Sequence, residues 1–129
     1  YNHLTTLIKN AEESIVINTT AAGLERKFDN FRNHLKKASN RGVDIKIAAP
    51  INDNNKRVAS TLNEFADVRK TDKEARFCLI DSKELAVMLM NGDNVHENYD
   101  SGIWISSPFF VKHFKSMFNN EWENMQKLN

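Results

Sequence analysis

Two nearly unbroken apolar runs sit in the middle of this 129-residue chain, Phe77-Cys78-Leu79-Ile80 and Leu85-Ala86-Val87-Met88-Leu89-Met90. Runs this short and this apolar suit strands buried on both faces of a sheet. The four residues between them, Asp81-Ser82-Lys83-Glu84, have the polar composition of a hairpin turn. A buried antiparallel pair needs layers on each side, so the rest of the chain must supply helices for both faces.

The flanking sequence supplies them. Leu4, Leu7, Ile8 and Ala11 recur at helical spacing and predict a helix over residues 3–13. Ser14 to Thr19 is short and β-branched, which predicts a strand, and Thr20 to Gly23 a loop. Leu24, Phe28, Phe31, Leu35 and Ala38 then share one face of a long helix that Gly42 closes with a left-handed cap. Val43 to Ala49 is the next strand, stopped by Pro50. Asp53 to Phe65 is a second crossover helix, and Asp67-Val68-Arg69-Lys70 a short edge strand.

After the hairpin, Asn91 to Asp100 is polar and marks an exposed loop. Ser101 to Ile105 is the last expected strand. Ser107-Pro108 opens a closing helix with serine as N-cap and proline at its first position. Phe110, Phe114, Met117, Phe118 and Trp122 give that helix an aromatic face for the core, with surplus for a contact between subunits. The expected architecture is α/β: one domain over residues 1–129, a mixed β-sheet flanked by helices on both faces.

Composition excludes several classes. A formal charge of +1 gives no global field for nucleic acid or membrane, although Lys36, Lys37 and Arg41 form a local basic face. No apolar run reaches membrane-spanning length. The single cysteine, Cys78, cannot form an internal disulfide, and it fits a reducing, cytoplasmic setting as an inert core thiol. A start at Tyr1 rather than Met reads as a piece excised from a longer protein.

The chemistry-bearing stretch is Glu74-Ala75-Arg76-Phe77-Cys78-Leu79-Ile80-Asp81. It has the outline of the phosphodiesterase signature His-x-Lys-x-x-x-x-Asp, with Glu74, Arg76 and Asp81 in the three marked places. Further elements keep the same order along most of the chain. These are Leu4-x-x-Leu7-Ile8-x-x-Ala11 before a strand, Arg41-Gly42-Val43-Asp44-Ile45 entering the next, Trp104 on a late strand, and Phe114-x-x-x-Phe118-x-x-Glu121-Trp122 at the end. On these residues the chain resembles one half of a phospholipase D-type fold. More narrowly, it is similar to the phospholipase D-like effector domain of archaeal TrmB-type transcriptional regulators.

The resemblance implies a site between two copies of the motif, in which one histidine attacks phosphorus and a lysine steadies the charge. Here a carboxylate, Glu74, takes the nucleophile's place, so covalent phosphoryl transfer lacks its attacking group. Arg76 keeps the capacity to fork an anion, or it pairs with Glu74 on the same strand face. Asp81 reads first as a turn former.

The resemblance therefore implies a non-catalytic sensing domain that forms a homodimer. It would bind a small effector, a sugar or an anion, and reach DNA through a separate winged-helix domain. Glu74, Arg76, Asp81, Asn91, Asn94 and Trp104 are its candidate ligand residues, with no cofactor and no metal expected. His96, Glu97 and Asp100 are too few for a closed metal site. Two alternatives stand beside this reading: a phosphodiesterase or nuclease that recruits His96, and a plain interaction module. His34-Leu35-Lys36 and His113-Phe114-Lys115 repeat His-x-Lys but fall on predicted helices, where residues two apart diverge.

Overall fold

The computed structural model describes residues 2–27, 29–73, 75–88 and 102–128. Helix α1 (Asn2–Asn10) leads into strand β1 (Ser14–Asn18), followed by α2 (Ala21–Lys27), α3 (Asp29–Asn40) and β2 (Asp44–Ala49). Helix α4 (Lys56–Leu62) and β3 (Asp67–Lys70) complete the first part. Three further strands follow, β4 (Arg76–Ile80), β5 (Glu84–Met88) and β6 (Gly102–Ile105), then α5 (Pro108–Trp122) and β7 (Gln126–Lys127). The strands form one seven-stranded sheet in the order β6-β5-β4-β1-β2-β3-β7.

The sheet is mixed, as expected. β1, β2 and β3 run parallel, linked by helical crossovers, whereas β4, β5 and β6 add as an antiparallel meander on the other side of β1. Strand period two then sorts the side chains into two layers. Ile15, Ile17, Ile45, Ile47, Cys78 and Ile80 pack with Ile8 of α1, Leu35 of α3 and Leu62 of α4. Val16, Ala48, Leu79 and Leu85 pack on the opposite face with Val111, Phe118 and Trp122 of α5. Each fully buried Leu or Ile contributes roughly 1.5–3 kcal/mol relative to exposure.

Local signals explain most element ends. Gly42 has φ +90, in the left-handed region that suits a glycine cap, and Arg41 Nη2 donates to the carbonyls of Ile8 in the last turn of α1 (3.3 Å) and of Ala11 just beyond it (3.0 Å). Ser107 accepts from the Phe110 N–H and starts α5 with Pro108 in its first turn. The hairpin turn carries Asp81 and Ser82 at φ 55 and 58. Two successive positive φ values give the twist that antiparallel strands need.

Several expectations need correction. The segment predicted as a loop at Thr20 to Gly23 contains the start of α2, because the Thr20 hydroxyl accepts the Gly23 N–H and caps a helix. The helix expected from Leu24 to Ala38 corresponds to α2 up to Lys27 and α3 from Asp29, with residue 28 outside the described residues. β3 is not an edge strand, since β7 pairs beyond it through Arg69↔Lys127 and Lys70↔Gln126. For the same reason β6 is not the last strand. α4 starts at Lys56 rather than Asp53: Asn52 and Asn55 bond each other's backbone and hold Asp53–Asn55 as turns.

The aromatic face of α5 is only partly core. Phe118 and Trp122 are buried, but Phe110 and Met117 are half exposed, because the helix is rotated to bury Val111 instead.

Candidate functional site

In an open α/β sheet, ligands gather at the carboxyl ends of the parallel strands, where neighbouring connections diverge. β1 is that point here: the crossover leaves it towards β2, while β4 lies on its other side. The buried polar residues among those described all gather near this end: Asn18, Thr19, Thr20, Asn55 and Arg76. Polar groups sealed from water persist only with partners, so their gathering marks the end of the sheet built for more than packing.

Each has a structural reason for its place. Asn18 closes β1, and its Nδ2 donates to the Ala75 carbonyl at 2.7 Å, which fixes the entry to β4. Asn55 donates to the carbonyls of Pro50 (3.0 Å) and Ala21 (3.3 Å), tying the exit of β2 to the start of α2. Thr20 caps α2, and the Thr19 N–H continues the β1–β2 ladder to the Ala48 carbonyl. A Cβ placed on Gly23 would lie 2.3 Å from the Thr19 hydroxyl oxygen, so the helix approaches the strand end only because position 23 is glycine.

Arg76 is the first residue of β4 and is 8% exposed. It shares a sheet face with Cys78 and Ile80, the face covered by α1 and α3. Beside it lies a cavity of about 60 Å³. Leu4 and Ile8 of α1, Ile17 of β1, Phe31 of α3, and Ala86 and Met88 of β5 contribute apolar wall, with Asn18 and Thr19 at one side. Cys78 also lines it; burial pushes its thiol pKa up to about 12, so it stays protonated and inert.

Of the expected site residues, Arg76 alone lines this cavity among those described. Glu74, Asn91 and Asn94 lie outside the described residues, as does His96. Trp104 stands on the edge strand β6, opposite Ala86 and on the same sheet face. It is 51% exposed, and its indole N–H donates to Glu84 at 3.3 Å, so it is neither core nor part of the cavity wall.

Asp81 belongs to the opposite end of β4, about 17 Å from Arg76 at ~3.4 Å per residue. Its carboxylate accepts the backbone N–H groups of Glu12, Glu13 and Ser14. Partial burial alone would raise its pKa; those donors and the charge of Lys83 outweigh it and hold the carboxyl below the usual range. Asp81 is a stitch between the hairpin and the α1–β1 connection, and it stands apart from the cavity beside Arg76.

Asn18 and Thr19 escape a sequence reading because a polar pair after an apolar strand looks like an ordinary turn. The available signal was three polar residues, Asn18-Thr19-Thr20, at the carboxyl end of a predicted central strand. The two decoy histidines do fall on helices, His34 in α3 and His113 in α5. Among the described residues no group of histidine, cysteine and acidic side chains could hold a metal ion.

Comparison with known proteins agrees with this frame. The model of the family "Transcriptional regulator TrmB, EBD N-terminal subdomain" matches residues 1–128. The chain belongs to that family. A search of the curated proteins finds no match for this TrmB-type domain.

Among solved structures, it resembles TrmBL2, described as an archaeal chromatin protein with a novel mode of DNA binding, at TM-score 0.73 and 23% identity over 98% of this chain and 49% of that one. The TrmB-type domain thus spans about half the length of TrmBL2. NucT from Helicobacter pylori superposes at TM-score 0.81 with 16% identity, covering 98% of this chain and 89% of that one. Nuc, a phospholipase D family member from Salmonella typhimurium, does so at 0.78 with 14% identity, covering 98% and 88%. The fold is phospholipase D-like.

Proposed function

We propose that this domain is a non-catalytic, ligand-responsive effector domain of a TrmB-like transcription regulator, and that it works as a homodimer. DNA would be reached through a winged-helix domain elsewhere in the parent protein, in the cytoplasm. One observation carries the reading: a buried arginine stands beside a cavity at the carboxyl end of β1, and the resemblance would give that position to the catalytic lysine. The sequence puts Glu74, a carboxylate, in the place of the attacking histidine. A guanidinium without a nucleophile can hold a ligand but cannot open a phosphodiester by covalent attack.

Exposed apolar side chains support pairing. Ile103 on β6 and Phe109, Phe110 and Met117 on α5 are between 46% and 89% exposed, more apolar surface than a solitary domain needs. A ligand bound differently in two dimer geometries would shift DNA affinity through a coupling of typically ~1–3 kcal/mol.

The test has two arms. Incubation with bis(p-nitrophenyl) phosphate should give no turnover above buffer. A metabolite screen by thermal shift should find a ligand whose effect disappears in Arg76→Gln, and light scattering should report a dimer. Turnover that persists through purification and disappears in His96→Ala would restore the phosphodiesterase reading that the likeness to Nuc and NucT invites.

A further inference from the structure

We propose that the outer edge of β6 is where this domain pairs with a second copy of itself, strand against strand across a two-fold axis, so that the two sheets join into one. This rests on the homodimer reading above and names its surface. The two edges of the sheet differ in kind. β7 is two residues long and carries Lys127, a charge that discourages further pairing. β6 is Gly102-Ile103-Trp104-Ile105, and no charged side chain occurs from Gly102 to Phe110. In a chain that is 27% charged, this leaves the β6 edge without the charges that usually keep strands from adding. Among the described residues only β5 pairs with β6.

Apolar exposure lies on both faces of this edge. Ile103 stands opposite Val87, on the face that α5 covers, and is 49% exposed. Trp104 stands opposite Ala86, on the other face, and is half exposed as well. A partner docked on one face would cover only one of them, whereas a strand added alongside covers both. Helix α5 begins three residues beyond Ile105. The Phe110 ring lies 6.4 Å from that of Phe114, which leads back into the core against Phe77. An axis perpendicular to the sheet keeps both copies of α5 on one face, so the same apolar patch meets itself.

The area suffices. Phe109, Phe110 and Trp104 are 89%, 46% and 51% exposed, which leaves roughly 400 Å² of ring surface per copy at about 150–250 Å² for each side chain. A pair that also covers Ile103 and the β6 backbone removes about 1,000 Å² or more from water, the size at which specific interfaces begin. Antiparallel pairing turns one copy end for end, so the two Arg76 sites point in opposite directions and each copy keeps its own. The shared cleft that the phospholipase D resemblance implies has a different geometry.

The experiment follows association of this chain with concentration. Light scattering should find twice 14.9 kDa. Acrylamide quenching should fall as the dimer forms, because Trp104 becomes covered while the other tryptophan, Trp122, is already buried. Ile103→Lys, which puts a charge on the edge, should raise the dissociation constant at least tenfold. Lys127→Ala on the opposite edge should leave it unchanged. At a two-fold axis a strand residue faces its own counterpart with Cα atoms about 4.5–5.5 Å apart, within disulfide reach. Either Ile103→Cys or Trp104→Cys should therefore link two copies under mild oxidation, with Cys78 buried.

A dimer that survives Ile103→Lys, that leaves Trp104 open to acrylamide, or that is linked by neither cysteine overturns the β6 edge and leaves the homodimer reading intact. A chain that stays monomeric at every concentration overturns both. Trp104 shielded only in the full-length parent gives the edge to another part of that protein and overturns the second copy. If circular dichroism shows Ile103→Lys unfolded, quenching and the cross-link decide.

Discussion

The Asp81 carboxylate accepts the Glu13 backbone N–H at 2.7 Å, joining the β4–β5 hairpin to the start of β1. Glu12 and Ser14 donate to the same carboxylate, so one side chain satisfies three consecutive main-chain donors. The signature aspartate is therefore an element of the fold, at the far end of β4 from Arg76.

Asp81→Asn keeps a residue that tolerates φ 55 but removes the charge and one acceptor oxygen. A loss of about 1–2 kcal/mol is expected in urea unfolding at neutral pH. The difference should depend on pH. Because the folded-state pKa is depressed, the contribution is fully present above the ordinary aspartate value of about 3.9 and disappears as pH falls through the lower folded value. Unfolding curves of the two proteins should converge below about pH 4, and a constant gap down to pH 2 would contradict this role.

Arg69 fastens the last helix to the sheet. Its Nη1 donates to the Trp122 carbonyl at 2.8 Å, and the guanidinium lies 4.4 Å from the centre of the Trp122 ring while also pairing with Asp67. Arg69→Lys retains the charge but cannot stack and fork at once. A stability loss of about 1–2 kcal/mol is expected from Lys and slightly more from Ala, with a change in near-ultraviolet circular dichroism from Trp122. Equal stability of all three proteins would show the contact to be idle.

Gly42 isolates a backbone effect. A Cβ there meets nothing within 4 Å, so Gly42→Ala adds no clash and tests only the left-handed φ of +90. The expected cost is about 1–2 kcal/mol, read as a lower denaturation midpoint with an unchanged slope.

Cys78 should be silent towards thiol reagents in the native state. Burial and a pKa near 12 deny it thiolate at pH 8. Ellman's reagent is expected to find no fast-reacting thiol in buffer and one in guanidinium chloride. Rapid native labelling would mean that the cavity wall opens readily.

The sheet was largely readable from residue patterns because its strands are short apolar runs with clear stops: Pro50 after β2, the Asp81–Lys83 turn after β4, Gly42 before β2. What failed had a common cause. β7 is two polar residues, Gln126 and Lys127, and exists only because β3 offers them an edge. α2 was hidden by Gly23, whose lack of a side chain serves close approach to Thr19 and not a turn. The rotation of α5 depends on Val111, one small residue among larger aromatics that periodicity alone ranks higher.

The candidate site was legible at Arg76 through its signature spacing. It was not legible at Asn18 and Thr19, because their value comes from standing at the carboxyl end of a strand that pairs on both sides. Asp81 stands at the other end: the motif joins in sequence two residues that β4 holds a strand's length apart.

The placement of β1 has a consequence for synthesis. It precedes the other strands of this sheet, and one of its two partners, β4, emerges only after β2, α4 and β3 have been translated. At about 5–20 residues per second, the nascent chain holds an unpaired hydrophobic ribbon, Ile15-Val16-Ile17, open on that flank for several seconds. A ribosome-bound fragment ending before Arg76 should therefore recruit chaperones strongly, and one extended through Ile80 should release them.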